Sequence, residues 1–184
     1  MRVIAGTLKG RRLEAPTWEG LRPTSDRLRE TLFNILAPRV AGARLVDGYA
    51  GTGAVGIEAM SRGAASVVFV ERDRRAAALL ESNLARCGLA DGCAIIRAGF
   101  LEAARRTLPP ASFDLVLLDP PYDEADLPAV VAAAAPLVDG DGLLVLEHAR
   151  RRPSPDDATD LIRARVVPSG DSALSIYQRR PPGA

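Results

Sequence analysis

From residue 43 onward the sequence repeats one texture: a short aliphatic run, a turn containing glycine or an acid, then an alanine-rich stretch long enough for a helix. Such alternation is the signature of βαβ units, because strands covered by helices on both faces read as nearly continuous apolar runs. The runs are Arg44 to Asp47, Ser66 to Val70, Ala94 to Arg97, Phe113 to Asp119 and Gly142 to Glu147. Helices are expected through Met60, at about Arg74 to Arg86, near Leu101 to Leu108 and near Leu127 to Leu137. Beyond Arg152 the Pro-Ser-Pro-Asp-Asp stretch reads as loop, and Ile162 to Val167 and Ala173 to Gln178 flank Pro168-Ser169-Gly170-Asp171 as a hairpin. The expected fold is α/β, Rossmann-like, with a mostly parallel seven-stranded sheet that ends in an antiparallel hairpin.

Before this core lies a different kind of sequence. Arg2 to Leu13 is basic and punctuated by glycine, with Val3, Ile4, Leu8 and Leu13 as scattered apolar anchors, and reads as an extended arm or loose hairpin. Arg22-Pro23-Thr24-Ser25-Asp26 then caps a helix carrying Leu28, Leu32, Ile35 and Leu36 at helical spacing. Pro38 is expected to end that helix, with Arg22, Arg27 and Arg29 at its start or on its polar side. Residues 1–40 hold eight basic against four acidic side chains, and the remainder 16 against 19, so a net charge of +1 hides a basic front end on a mildly acidic body. That asymmetry suits an anionic partner. Residues 1–40 are therefore read as an arm and helix for contact with an anionic partner and 41–184 as the core, together one domain of 184 residues.

No basic patch joins an apolar run of secretory length, and no stretch approaches the roughly 20 apolar residues of a membrane span, so a cytoplasmic protein is expected. Cys87 and Cys93 form no C-x-x-C pair and His148 is the single histidine, which points to reduced structural thiols and no metal site. With aromatics at only 4%, the core should be aliphatic and any stacking residue informative.

Two motifs carry chemistry. Gly51-Thr52-Gly53-Ala54-Val55-Gly56 fits G-x-G-x-x-G between a strand and a helix, with Glu71 about 20 residues on, where a carboxylate can accept hydrogen bonds from two ribose hydroxyls. Taken alone this also fits a nicotinamide-dependent oxidoreductase. Asp47, four residues before Gly51, tips the choice: a carboxylate there repels a pyrophosphate and tolerates the cationic end of S-adenosylmethionine. The second motif, Asp119-Pro120-Pro121-Tyr122, follows the fourth strand, where open α/β sheets place ligands. The Asp119 carboxylate and Pro120 carbonyl can each accept one N–H of a conjugated base amine, turning its lone pair toward a methyl donor. The two proline rings hold these acceptors rigid, and Tyr122 offers a face for an extruded base. No Ser-His-Asp set is visible, and His148 is read as structural.

The segment Arg22-Pro23-Thr24-Ser25-Asp26-Arg27-Leu28-Arg29-Glu30-Thr31-Leu32-Phe33-Asn34 resembles the signature of the RsmD family, the bacterial 16S rRNA (guanine(966)-N(2))-methyltransferases. Arg2-Val3-Ile4-Ala5-Gly6, the Asp-Gly-Tyr-Ala-Gly-Thr-Gly loop, Asp119 to Tyr122 and Tyr177-Gln178-Arg179 match in the same order. The resemblance implies a class I methyltransferase fold, S-adenosylmethionine as donor with S-adenosylhomocysteine as product, and N2-methylation of a guanine in 16S ribosomal RNA. By position it assigns Asp47, Ala50, Gly51, Thr52 and Gly53 to the methionine part, Glu71 to the ribose, and Arg72, Gly99 and Phe100 to the adenine. Asp119, Pro120, Pro121 and Tyr122 go to the guanine, and Arg2, Lys9, Arg11, Arg12, Arg22, Thr24, Arg27 and Arg29 to RNA. Where the family often has a polar residue after the third strand, this chain has Ala98-Gly99-Phe100. A monomer acting on a small-subunit particle with its ribosomal proteins is the expected setting. The rival readings are a DNA adenine-N6 methyltransferase, disfavoured because only a short hairpin follows the core, and a non-enzymatic RNA-binding assembly factor, disfavoured by the intact loop, Glu71 and Asp119.

Overall fold

The computed structural model describes residues 1–18, 25–121 and 126–180. Strands β1 (Arg44–Asp47), β2 (Ser66–Val70), β3 (Cys93–Ile96), β4 (Phe113–Leu118) and β5 (Val138–Ala149) pair in parallel. Strands β6 (Asp157–Ala158), β7 (Leu161–Ser169) and β8 (Ser172–Arg179) extend the sheet in antiparallel fashion, giving the order β3-β2-β1-β4-β5-β8-β7-β6. The helices are α1 (Asp26–Val40), α2 (Ala54–Ser61), α3 (Arg74–Cys87), α4 (Phe100–Arg106) and α5 (Leu127–Ala134), the last running into a single 3-10 turn at Ala135–Leu137.

Alternation along the strands sorts side chains onto two faces. Leu45, Val67, Phe69, Leu115, Leu117 and Val145 form one core with α1, α2, α3 and the arm residues Val3 and Leu13. Val46, Val116, Leu118, Leu144 and Leu146 form the other with α4 and α5, where Tyr177 is also buried. The mostly parallel sheet and its terminal hairpin are as expected. Among the described residues there are eight strands rather than seven, because Asp157–Ala158, starting at the last residue of the stretch expected to be loop, adds a two-residue edge to β7.

Two further expectations change. Helix α1 does not stop at Pro38 but continues to Val40. Pro38 costs the helix one N–H bond to the preceding turn, and the burial of Val40 in the core offsets that loss. Arg29 does not lie on the polar side of α1: it is fully buried. It shares the stripe of Phe33, Leu36 and Val40, at helical spacing, and its charge is met by Asp26 at 2.7 Å and by the carbonyl oxygens of Arg2 at 2.7 Å and Ala54 at 3.5 Å. Buried charge persists where it is paired and hydrogen-bonded in this way.

The N-terminal segment is a hairpin, closed by a bridge between Arg2 and Arg12, and it is firmly docked. The buried Glu58 of α2 accepts from Ile4 N at 2.7 Å, Ala5 N at 2.9 Å and Arg62 Nε at 2.8 Å. Gly6 has φ +83°, and a Cβ there would lie 1.8 Å from the Ser61 carbonyl oxygen, so only glycine permits the approach.

Candidate active site

The carboxyl edge of the sheet collects the residues singled out by sequence. Strand β1 ends at Asp47, and the loop to α2 must pass close to its neighbours: a Cβ on Gly48 would meet Leu118 at 2.4 Å and Phe100 at 2.8 Å. Gly53, the N-cap of α2, has φ +79°. Glu71, just past β2, accepts from Gly51 N at 2.8 Å and from Asp73 N at 2.7 Å, bracing the glycine loop against the second βα turn. A carboxylate accepts at about four lone-pair positions, so these two bonds leave room for ribose hydroxyls. Asp47 is buried and its Oδ2 accepts from Gly56 N at 3.0 Å. Burial pushes its carboxyl up to about 7; the Gly56 N–H works against that, while the charges of Asp119 and Glu71 add to it.

A cleft of about 560 Å³ opens along this edge, a size suited to a nucleoside-sized ligand. Of the residues assigned from sequence, Glu71, Arg72, Gly99, Phe100, Asp119 and Pro121 border it. Ala50, Gly51, Thr52 and Gly53 are buried in the loop and do not border the cleft, and Pro120 is buried as well. Tyr122 lies outside the described residues. Asp47 faces a second, much smaller cavity of about 20 Å³, shared with Asp119, Glu147, Leu28, Leu32 and Leu174. Register explains this meeting. Asp47 is level with Leu117, and Leu118 with Leu146, so Asp119 and Glu147 fall on the same face as Asp47 at the ends of neighbouring strands. Glu147 also accepts from Ser172 Oγ at 3.1 Å.

Four residues beyond those assigned from sequence belong to this edge. Tyr49 packs against Phe100 with ring centroids 5.6 Å apart, and Trp18 lies over the Arg75 guanidinium, 5.1 Å from ring centroid to Cζ. Tyr49, Trp18 and Arg75 all border the larger cleft, and Glu147 the smaller cavity. The scarcity of aromatics was a usable signal for Trp18, the single tryptophan. Glu147 had no such signal, because its place follows from the register of β4 and β5.

Of the residues assigned to RNA, Arg2, Lys9, Arg11, Arg12 and Arg27 are exposed and make no ion pair within the described residues. Arg22 and Thr24 lie outside the described residues, and the buried Arg29 is withdrawn from that surface. The arm runs beside α2, tied to its last residue by Thr7 N to Ser61 O at 2.8 Å and Leu8 N to Ser61 Oγ at 2.9 Å. His148 is held at both ring nitrogens, Nε2 at 2.9 Å from Ser175 Oγ and Nδ1 at 2.7 Å from the Arg152 carbonyl oxygen, which is a structural brace. Burial raises both cysteine thiols, keeping them in the unreactive protonated form. Among the described residues no helix is long and apolar enough to cross a membrane.

A family profile described as "Conserved hypothetical protein 95" matches residues 1–178. The chain is 36% identical to "Putative rRNA methyltransferase YlbH" of Bacillus subtilis, over 98% of this chain and 100% of that one. It is 41% identical to "Ribosomal RNA small subunit methyltransferase D" of Haemophilus influenzae, over 66% of this chain and 64% of the relative. Among solved structures it resembles "Putative methyltransferase yhhF" from Escherichia coli, with a TM-score of 0.83, 32% identity and 98% of each chain covered.

Proposed function

The chain belongs to the RsmD family, and we propose that it transfers a methyl group from S-adenosylmethionine to the exocyclic N2 amine of a guanine in 16S ribosomal RNA. The observation that carries this reading is the convergence of Asp119, Glu71 and Phe100 on one cleft at the carboxyl edge of the sheet. The glycine loop and the brace from Glu71 fit an adenosine-bearing cofactor. Asp47 and Asp119 beside that loop favour a cationic methionine end over a dinucleotide pyrophosphate, since like charges in a poorly solvated site repel strongly. S-adenosylmethionine supplies a methyl group on a good leaving group, so the residues have to bind, orient and exclude water.

Asp119 is suited to accept one N–H of the guanine amine and the Pro120 carbonyl the other, directing the nitrogen lone pair at the methyl carbon. The glycine loop and Glu71 would hold S-adenosylmethionine, which would supply the methyl group with a neutral thioether as leaving group, and the Asp119 carboxylate is suited to take up the proton that the methylated amine loses. Tyr122, by its place in the motif, is assigned to stack on the base. Arg2, Lys9, Arg11, Arg12 and Arg27 are assigned to RNA phosphates, joined by Arg22 and Thr24 of the capping segment. Residues 1–40 serve as the RNA-contacting part and 41–184 as the catalytic core of a cytoplasmic monomer. Few phosphate-binding groups on a near-neutral body suggest that ribosomal proteins of the small-subunit particle share in recognition.

Nucleoside analysis of 16S RNA from cells lacking this chain tests the reading. N2-methylguanosine should fall in the deletion, return with the wild-type chain and not return with Asp119→Ala. An unchanged N2-methylguanosine content would refute the proposed product.

A further inference from the structure

Trp18 has no part in the chemistry just described, yet it borders the cleft. The chain that delivers it is anchored four residues earlier. Glu14 N donates to Asn83 Oδ1 at 2.7 Å, while Asn83 Nδ2 donates to the carbonyl oxygens of Glu14 at 3.2 Å and Thr52 at 2.9 Å. One fully buried asparagine thus fixes both the arm and the glycine loop. Arg86 adds an ion pair to Glu14 at 2.7 Å.

The cleft lies across the top of the sheet and receives aromatic groups from both layers. Phe100 and Tyr49 pack with the core built on α4 and α5. Arg75 belongs to the first turn of α3, on the opposite layer, and carries Trp18. Arg75, which carries the ring, follows Glu71, Arg72 and Asp73 at the end of β2, which β1 separates from β4 and Asp119 by roughly 10 Å of sheet. Its neighbourhood is therefore the Glu71 end of the cleft and not the Asp119 end. Arg75 lies over the indole, which borders the cleft, and Ala98 and Gly99 bring no polar side chain to an adenine edge.

We propose that Trp18 stacks on the adenine of the bound cofactor, so that the N-terminal arm closes the adenosine half of the cleft. This rests on the reading of the cleft as an S-adenosylmethionine site. Stacking supplies the binding that an adenine-recognising side chain after β3 would otherwise give, and Arg75 holds the ring in place through its cation–π contact.

The single tryptophan makes the test direct. Emission of the full chain is titrated with S-adenosylhomocysteine, adenosine and methionine, while binding of radiolabelled S-adenosylhomocysteine is followed by equilibrium dialysis. S-adenosylhomocysteine and adenosine should quench the emission saturably, and methionine should leave it unchanged. Trp18→Ala should raise the Kd for S-adenosylhomocysteine roughly tenfold, and Trp18→Phe by no more than about threefold. Unchanged wild-type emission at saturation shown by dialysis, or a Trp18→Ala Kd within about twofold of wild type, overturns the proposal. Absence of any S-adenosylhomocysteine binding in dialysis overturns both it and the methyltransferase reading beneath it.

Discussion

The two ends of the carboxyl edge are built on opposite principles. At β1, β4 and β5, three carboxylates converge on a cavity walled by Leu28, Leu32 and Leu174, and burial lifts Asp47 to about 7. At β2 and β3 the edge is open, with Glu71 beside Arg72, Arg75, Trp18 and Phe100. A poorly solvated acidic end is costly to the fold and suited to orienting an amine near a cationic donor. An open end with a carboxylate, cations and aromatic rings is suited to holding a nucleoside. Chemistry at the cationic end of the cofactor and recognition of its adenosine are thus assigned to different strands of one sheet, and variants at the two ends should fail differently.

The largest effect is expected for Asp119→Ala: methyl transfer should fall by at least about 10³-fold, with cofactor Kd raised by no more than about tenfold. Equal losses in both would erase the division between the ends. Next comes Asp47. Because its carboxyl is raised in the folded chain, the stability it allows below the ordinary carboxylate range is lost as pH rises through about 7. Asp47→Asn should therefore stabilise the cofactor-free protein at pH 8 by about 2–4 kcal/mol, leave it nearly unchanged at pH 4, and weaken binding of the cationic cofactor. Thermal melts at the two pH values, with and without S-adenosylmethionine, read both parts; equal stabilisation at both would deny the raised carboxyl.

Glu71→Gln belongs to the other end and should raise cofactor Kd by about tenfold while leaving kcat at saturation within about threefold. A collapse of kcat at saturating cofactor would move Glu71 into the chemistry. The smallest effect is expected outside the edge altogether. Replacing Arg11 and Arg12 by Gln should lower RNA affinity about tenfold and flatten the salt slope of binding by about 1.5, with transfer to saturating substrate preserved. An unchanged slope would remove both residues from the interface.

The open and buried ends also differ in how far sequence reveals them. Strands β1 to β5, the glycine loop, Glu71 and the Asp119 motif all announce themselves, because an apolar run followed by a turn residue is a local signal. Arg29 misleads for a physical reason: side-chain charge argues for exposure, but its spacing from Phe33 and Leu36 places it on the buried stripe, where Asp26 and two carbonyl oxygens receive it. Glu147 becomes visible only once the register of β4 and β5 is known, since one residue of slip would turn it to the other face. Trp18 reaches the cleft through Asn83, a long-range contact that no local pattern encodes. The two-residue strand β6 is too short to produce any period.

The most direct measurement is methyl transfer from radiolabelled S-adenosylmethionine to unmodified small-subunit particles, naked 16S RNA and duplex DNA in parallel, with nucleoside analysis of each product. Label recovered as N2-methylguanosine from ribosomal RNA is the predicted result. N6-methyladenine in DNA would contradict the substrate, and no transfer to any of the three would contradict the assignment of Asp119 and Glu71 to a catalytic cleft.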